Sequence, residues 1–339
     1  MFSDKVILSF AKRYTSNITS VELLGVSHNT VYKVNSDDPF IFRVTLSHHR
    51  SYNELMGELN FISFLHNNGA HVAFPLQSLK NELVTRIQFN NEFLLLTAFN
   101  IAEGLQWHER ADIHYLKYIG RELGRIHKCS RNYNDISETP RRQYFENQHL
   151  VNAFDVFEKY SMELHMAYRL FLEILSQLPK NAGNYGLIHG DFLMSNYNIT
   201  TQNLVTVYDF DECEYSWYIS DIATLLYYCL TGGDPSRTTE RADEATTMIF
   251  DVMSGYLAEN DLPVSELKNI ELFFKLRDCV LLSTIIGRRD KILGWWDALL
   301  VPMAIDRVVN NKPFINVDYD LIINKLIATY ATVKLCKTE

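Results

Sequence analysis

Apolar positions change period several times along the chain. Over 4–14 they recur at helical spacing, with Val6, Ile7, Phe10 and Ala11 on one face and Ser3 or Asp4 as a cap. Runs rich in Val, Ile, Phe and Thr at 20–24, 30–34 and 40–45 then predict strands, with a clear turn at 35–39. Helical spacing returns at 54–66, where Leu55, Leu59, Ile62 and Leu65 form one stripe and Gly69 ends the element. Further strands are expected at 72–76, 82–89 and 93–97, the last two joined by a hairpin turn at 90–92.

Beyond residue 100 the pattern is mostly helical. Helices are expected at 113–129, 153–178, 222–230, 239–257, 267–282, 298–309 and 318–335. In the first of these Gly120 and Gly124 cost helix propensity, and two glycines four apart imply close packing on a neighbour. His127 near its end reads as structural, a cation there suiting the helix dipole. The helix over 153–178 is expected to bury Phe154, Phe157, Leu164, Tyr168, Phe171 and Leu175. Short strands at 187–188, 198–200 and 204–208 interrupt the helical part, the last two joined by a polar turn at 201–203.

Composition narrows the classes. Of 339 residues 47% are hydrophobic, enough for a sizeable core, and 22% are charged, which argues against disorder. A net charge of −9 argues against a general nucleic-acid binder and is compatible with a cationic substrate or plain solubility. Five cysteines without a C-x-x-C spacing fit reduced thiols of a cytoplasmic protein better than a disulfide framework or zinc site. The first residues do not read as a signal peptide, and the apolar run near 280–286 is too short to span a bilayer, so no membrane partner is expected. Polar segment 130–148, with Arg131, Arg141 and Arg142, and the charged patch 288–291 before Trp295 and Trp296, read as solvated.

The chemistry lies in 185–226. Asp191 is followed five residues later by Asn196, and Asp209 closes an apolar strand 18 residues after Asp191. That layout suits phosphoryl transfer: one carboxylate receives the attacking hydroxyl's proton, while an amide oxygen and a second carboxylate hold magnesium, a hard cation. Two strands joined by a tight turn are expected to bring Asn196 and Asp209 together.

HGDFLMSN and YDFDECEYSWYISDIA resemble the H-G-D-x-x-x-x-N loop and metal-binding segment of the aminoglycoside phosphotransferase and choline kinase family, relatives of protein kinases. The long match looks most like the bacterial homoserine kinase type II and stress-response kinase branch. The resemblance implies an α+β, bilobal protein-kinase-like fold, with a sheet-bearing nucleotide-covering lobe over 1–98 and a mostly helical catalytic and substrate lobe over 99–339. It implies ATP and magnesium as cofactors and a hydroxyl-bearing small molecule as acceptor. Asp191 is then the catalytic base, Asn196 and Asp209 the metal ligands, and Arg43 the phosphate-facing cation where relatives carry Lys. Glu58 orients Arg43, with Glu54 one turn earlier as its rival and Lys33 as the rival cation.

In the same family Ser27 and Asn29 of the GVSHNT hairpin supply phosphate donors, although only Gly25 stands there for a glycine-rich loop. Ala98 and Phe99 open the hinge that meets adenine through its backbone. His189 anchors the catalytic loop, and Asp221 caps its helix and braces that loop. Asp211 and Glu212 are candidates for the acceptor pocket. About a dozen residues separate Asp209 from the next helix, which leaves no room for a phosphorylated activation segment. A serine/threonine protein kinase and a silent nucleotide binder, the latter raised by Leu193, Met194 and Ser195 in the loop, are the alternatives to a small-molecule kinase.

Overall fold

The computed structural model describes residues 2–106, 113–134, 146–232, 234–236, 241–288 and 294–336, with side chains except at 113 and 330–336. Arg141, Arg142 and 289–291 lie outside the described residues. The chain forms two compact units. One comprises Met1–Leu105, Asn132–Arg141 and Tyr197–Asp211; the other comprises Gln106–Arg131, Arg142–Asn196 and Glu212–Glu339.

The first unit is built on an antiparallel sheet. Strands β1 (Ile18–Val26), β2 (Asn29–Ser36), β3 (Phe40–Leu46), β4 (Pro75–Leu76), β5 (Thr85–Phe89) and β6 (Glu92–Asn100) run in the order β1-β2-β3-β6-β4, with β5 also on β6. Helix α1 (Asp4–Ala11) buries Ile7, Phe10 and Ala11 against Tyr32, Val34, Phe42, Val44, Leu94 and Leu96. Because side chains alternate along a strand, Phe42 and Val44 face that core while Arg43 and Thr45 face the other way. Arg43 meets helix α2 (Tyr52–Asn67) there. Ser51 and Glu54 start α2 with a capping box, and Leu55, Leu59, Phe61, Ile62 and Leu65 are buried along it. The expected strand at 72–76 is reduced to β4 and one bridge between Val72 and Val207.

Strand β7 (Leu105–Gln106) carries the chain from one unit into the other. In the second unit α3 (Leu116–Ser130) lies on α7 (Ala242–Leu257) at very close range, as the paired glycines imply. A Cβ built on Gly120 would overlap the Val252 carbonyl, and one on Gly255 the Lys117 carbonyl. The helix expected over 153–178 is two helices, α4 (Gln148–Tyr160) and α5 (Met162–Ser176). Ser161 breaks them: it is extended, and its hydroxyl accepts from the Leu164 amide as an N-cap. With that break Phe154 is half-exposed, whereas Phe157, Leu164, Tyr168, Phe171 and Leu175 are buried.

Strands β8 (Tyr185–Ile188) and β11 (Glu214–Trp217) pair antiparallel, Ile188 opposite Glu214. The second of these was not expected from the sequence. Helix α6 (Tyr218–Thr231) follows, then α8 (Ile270–Gly287), α9 (Trp295–Val309) and α10 (Tyr319–Cys336). Buried Asp278 of α8 accepts two hydrogen bonds from Arg307 of α9, each 2.7 Å, and a third from the Tyr227 hydroxyl. No described helix is long and apolar enough to cross a membrane.

Candidate active site

The second unit carries the loop that holds Asp191 and Asn196. Strand β8 ends at His189, and Gly190 turns the chain with φ +84° before Asp191. No other residue suits that turn, because a Cβ at Gly190 would run into the Glu212 carbonyl. The bend is held by Asp221, fully buried in the first turn of α6. Its carboxylate accepts from the His189 amide at 2.8 Å and the Gly190 amide at 2.9 Å. Asp221 was expected both to cap its own helix and to brace the loop; its carboxylate takes the two loop amides, and no side chain caps α6.

His127 completes this support, and the structure corrects its expected charge. Burial pushes its pKa down further than the Asp221 hydrogen bond raises it, so the ring is neutral rather than a cation at a helix end. A carboxylate can only accept, so Nε2 bears the hydrogen and donates to Asp221 Oδ2 at 3.1 Å. Nδ1 then accepts from the Tyr256 hydroxyl at 2.9 Å.

Within the loop, Nδ2 of buried Asn196 donates to the Asp191 carbonyl at 2.9 Å and lies 3.5 Å from Asp191 Oδ2. That bond fixes the amide orientation, and among the described residues Oδ1 receives only the Ser195 hydroxyl, at 3.3 Å. Asp191 keeps 28% of its side chain exposed. Arg277 of α8 donates from Nη2 to Asp191 Oδ1 at 2.8 Å and to the Tyr228 hydroxyl at 2.6 Å. Burial lowers the Arg277 pKa, but Tyr228 and Asp191 raise it by more, so it stays cationic. Sequence pattern alone does not single out Arg277 and Tyr228. The available signal was the charged pair Arg277–Asp278 in an apolar helical run, where each charge needs a partner.

The first unit carries the remaining candidates. Arg43 Nη1 donates to Glu58 Oε1 at 2.8 Å, so Glu58 rather than Glu54 meets the strand cation. Both are buried, and Arg43 Nη2 and Glu58 Oε2 have no partner among the described residues. Burial pulls the Arg43 pKa down, but Glu58, Asp211 and Asp209 together raise it. The Arg43 guanidinium also lies 4.9 Å from the centre of the Phe99 ring.

Strands β9 (Tyr197–Ile199) and β10 (Val205–Val207) form the expected hairpin, Tyr197 opposite Val207. Two residues on, exposed Asp209 has φ +67°, a left-handed conformation that Asp tolerates better than most. Phe210 is buried against Phe61, and Asp211 Oδ2 accepts from Asn29 Nδ2 at 3.2 Å. Asn29 Oδ1 accepts from Thr45, so both ends of that amide are engaged, while Ser27 is exposed at the hairpin turn. Ala98 and Phe99 lie inside β6 with β3 on one side and β4 on the other. Glu212 is half-buried and begins the second unit's last segment.

A family model described as the phosphotransferase enzyme family matches residues 20–251. The chain belongs to that family. The expected family, fold class and reaction, phosphoryl transfer to a hydroxyl, are those of a phosphotransferase of this kind. Amicoumacin kinase of Bacillus subtilis (strain 168) is 28% identical over 282 residues, covering 81% of this chain and 82% of that one. Two solved structures share the phosphotransferase's fold. An amicoumacin kinase in complex with AMP-PNP, Ca2+ and Ami has a TM-score of 0.82 at 22% identity, covering 95% of this chain and 97% of that one. A microcompartment-associated aminopropanol kinase has a TM-score of 0.69 at 21% identity, covering 90% and 94%.

Proposed function

We propose that this phosphotransferase moves the γ-phosphoryl group of ATP, accompanied by magnesium, to a hydroxyl of a small molecule in the cytoplasm. The observation that carries this reading is the setting of Asp191. Its loop is pinned by Asp221, its main chain by Asn196 and one carboxylate oxygen by Arg277, while the carboxylate stays partly open. Asp191 Oδ2 receives the proton of the attacking hydroxyl, and Arg277 holds the carboxylate in place through Oδ1. Small-molecule kinases among the relatives, one of them complexed with AMP-PNP, favour a small acceptor over a protein one. The buried free thiols of Cys229 and Cys279 favour a reducing compartment.

The donor set suits the implied groups. Asn196 Oδ1 and the Asp209 carboxylate offer hard oxygen donors, and Arg43 Nη2 is a buried donor without a partner among the described residues, as a phosphate-binding nitrogen requires. Magnesium, when bound, neutralises phosphate charge. Backbone of 98–99 and of the 25–29 hairpin is assigned to the nucleotide on the family pattern. Catalysis rests on positioning and electrostatics, since a loose phosphoryl-transfer transition state needs little covalent help. Calorimetric titration with ATP tests the nucleotide half. Binding that requires magnesium and weakens at least tenfold in Asp209→Ala supports it, and equal affinity with and without the metal contradicts it.

A further inference from the structure

We propose that Arg277 and Tyr228 form an oxygen-recognition pair beside Asp191, so that the acceptor carries a carbonyl or carboxylate oxygen close to the hydroxyl it presents. The inference rests on the kinase reading above and names a chemical class for its acceptor. A guanidinium has five N–H donors and no acceptor. In Arg277 three are spent: one Nη2 hydrogen on Asp191 Oδ1, the other on the Tyr228 hydroxyl at 2.6 Å, and Nε on the same hydroxyl at 3.1 Å. The two Nη1 hydrogens meet no partner among the described residues, and the side chain keeps 13% of its surface open.

Tyr228 has the complementary surplus. Its oxygen accepts twice from Arg277, which cannot accept in return, so its own hydrogen points elsewhere and has no acceptor among the described residues. Asp191 Oδ1 and the Tyr228 oxygen share one nitrogen, so they lie within two hydrogen-bond lengths of each other. Three polar hydrogens, two on Nη1 and one on the Tyr228 hydroxyl, are thus unspent beside the carboxylate that takes the hydroxyl's proton. Arg277 also cancels the charge of Asp191, so an ammonium group gains little attraction there, whereas an oxygen acceptor gains charge-assisted bonds. The acidic surface of the whole chain is therefore a poor guide to the acceptor's charge at this position.

Ligand-observed NMR on the full chain with magnesium and a non-hydrolysable ATP analogue tests the pair. The probes are matched hydroxyl compounds: 3-hydroxybutanoate, 3-hydroxybutanamide and butan-2-ol, with longer homologues of each. Wild type should bind the oxygen-bearing members at least tenfold more tightly than the matched alcohols. Tyr228→Phe and Arg277→Gln should each erase most of that preference. Arg277→Lys should keep part of it for the carboxylate and lose it for the amide, because a point charge replaces the fork. Matched members binding alike in wild type, no member binding, or a preference that survives both substitutions would overturn the pair. Tyr228→Phe removes one oxygen atom only, so the test stands if Arg277→Gln melts early. ADP formation in parallel separates the two ideas: transfer without the oxygen preference sinks the pair and spares the kinase reading, and the preference without transfer does the reverse.

Discussion

Arg43 and Glu58 share one hydrogen bond of 2.8 Å and leave one buried atom each, Nη2 and Oε2, without a partner among the described residues. A buried pair made for stability alone would satisfy both. The surplus nitrogen is what a phosphate oxygen needs, and the pair sits on opposed elements, β3 and α2, that fix its direction. Arg43→Met should weaken magnesium-ATP binding at least tenfold and cost about 3–5 kcal/mol of stability, since Glu58 is left buried and alone. Arg43→Lys should keep the fold and lose part of the nucleotide affinity. Calorimetry and urea denaturation read the two effects, and unchanged affinity in Arg43→Met would remove Arg43 from the nucleotide site.

Asp221 accepts two loop amides and His127 at once. Asp221→Asn keeps the shape but replaces an accepting oxygen with a donor. It should cost about 1–3 kcal/mol from unpaired buried groups. It should lower kcat while leaving the KM for ATP near its wild-type value, because the displaced residue is Asp191. An equal rise in KM without loss of kcat would contradict this.

His127 makes stability depend on pH. Its folded pKa lies below the ordinary value near 6.5, because burial penalises the charged ring more than Asp221 favours it. The unfolded chain therefore binds the extra proton first. Stability contributed by the neutral ring is complete above about pH 6.5 and falls as the pH drops from there toward the folded pKa, at up to about 1.4 kcal/mol per pH unit. Urea midpoints from pH 7.5 to 5 should show the decline, and His127→Gln should flatten part of it. An identical slope in the variant would assign the dependence to other groups.

Gly120 and Gly255 set the spacing of α3 and α7. Gly120→Ala adds a methyl against the Val252 carbonyl and should destabilise by about 1–3 kcal/mol, despite the better helix propensity of Ala. A stabilised variant by thermal melting would show that the two helices part freely.

Much of this fold was legible because its elements announce themselves locally. Runs rich in Val, Ile, Phe and Thr at 30–34 and 40–45 placed β2 and β3, and the glycines of 113–129 foretold a close helix pair. Arg43 stood out as a charge in an apolar strand, and the choice between Glu54 and Glu58 fell to tertiary structure, since Glu54 is spent on the cap with Ser51. Features that depend on distant partners were not legible. Strand β11 reads as an acidic loop until β8 pairs with it, and Ser161 looks like any helical serine until the chain turns at it. His127 is a cation by position and neutral by burial. Arg277 meets Asp191 across 86 positions of sequence, a distance that no periodicity spans.

The most direct test of the central claim is magnesium-dependent ADP formation across a mixed panel of hydroxyl acceptors, with Asp191→Ala alongside wild type. One acceptor class should stimulate turnover in wild type. Asp191→Ala should lose about 10²–10⁴-fold of it while still binding ATP. Near-normal turnover in Asp191→Ala, or ATP binding with no stimulation by any acceptor, would contradict the account.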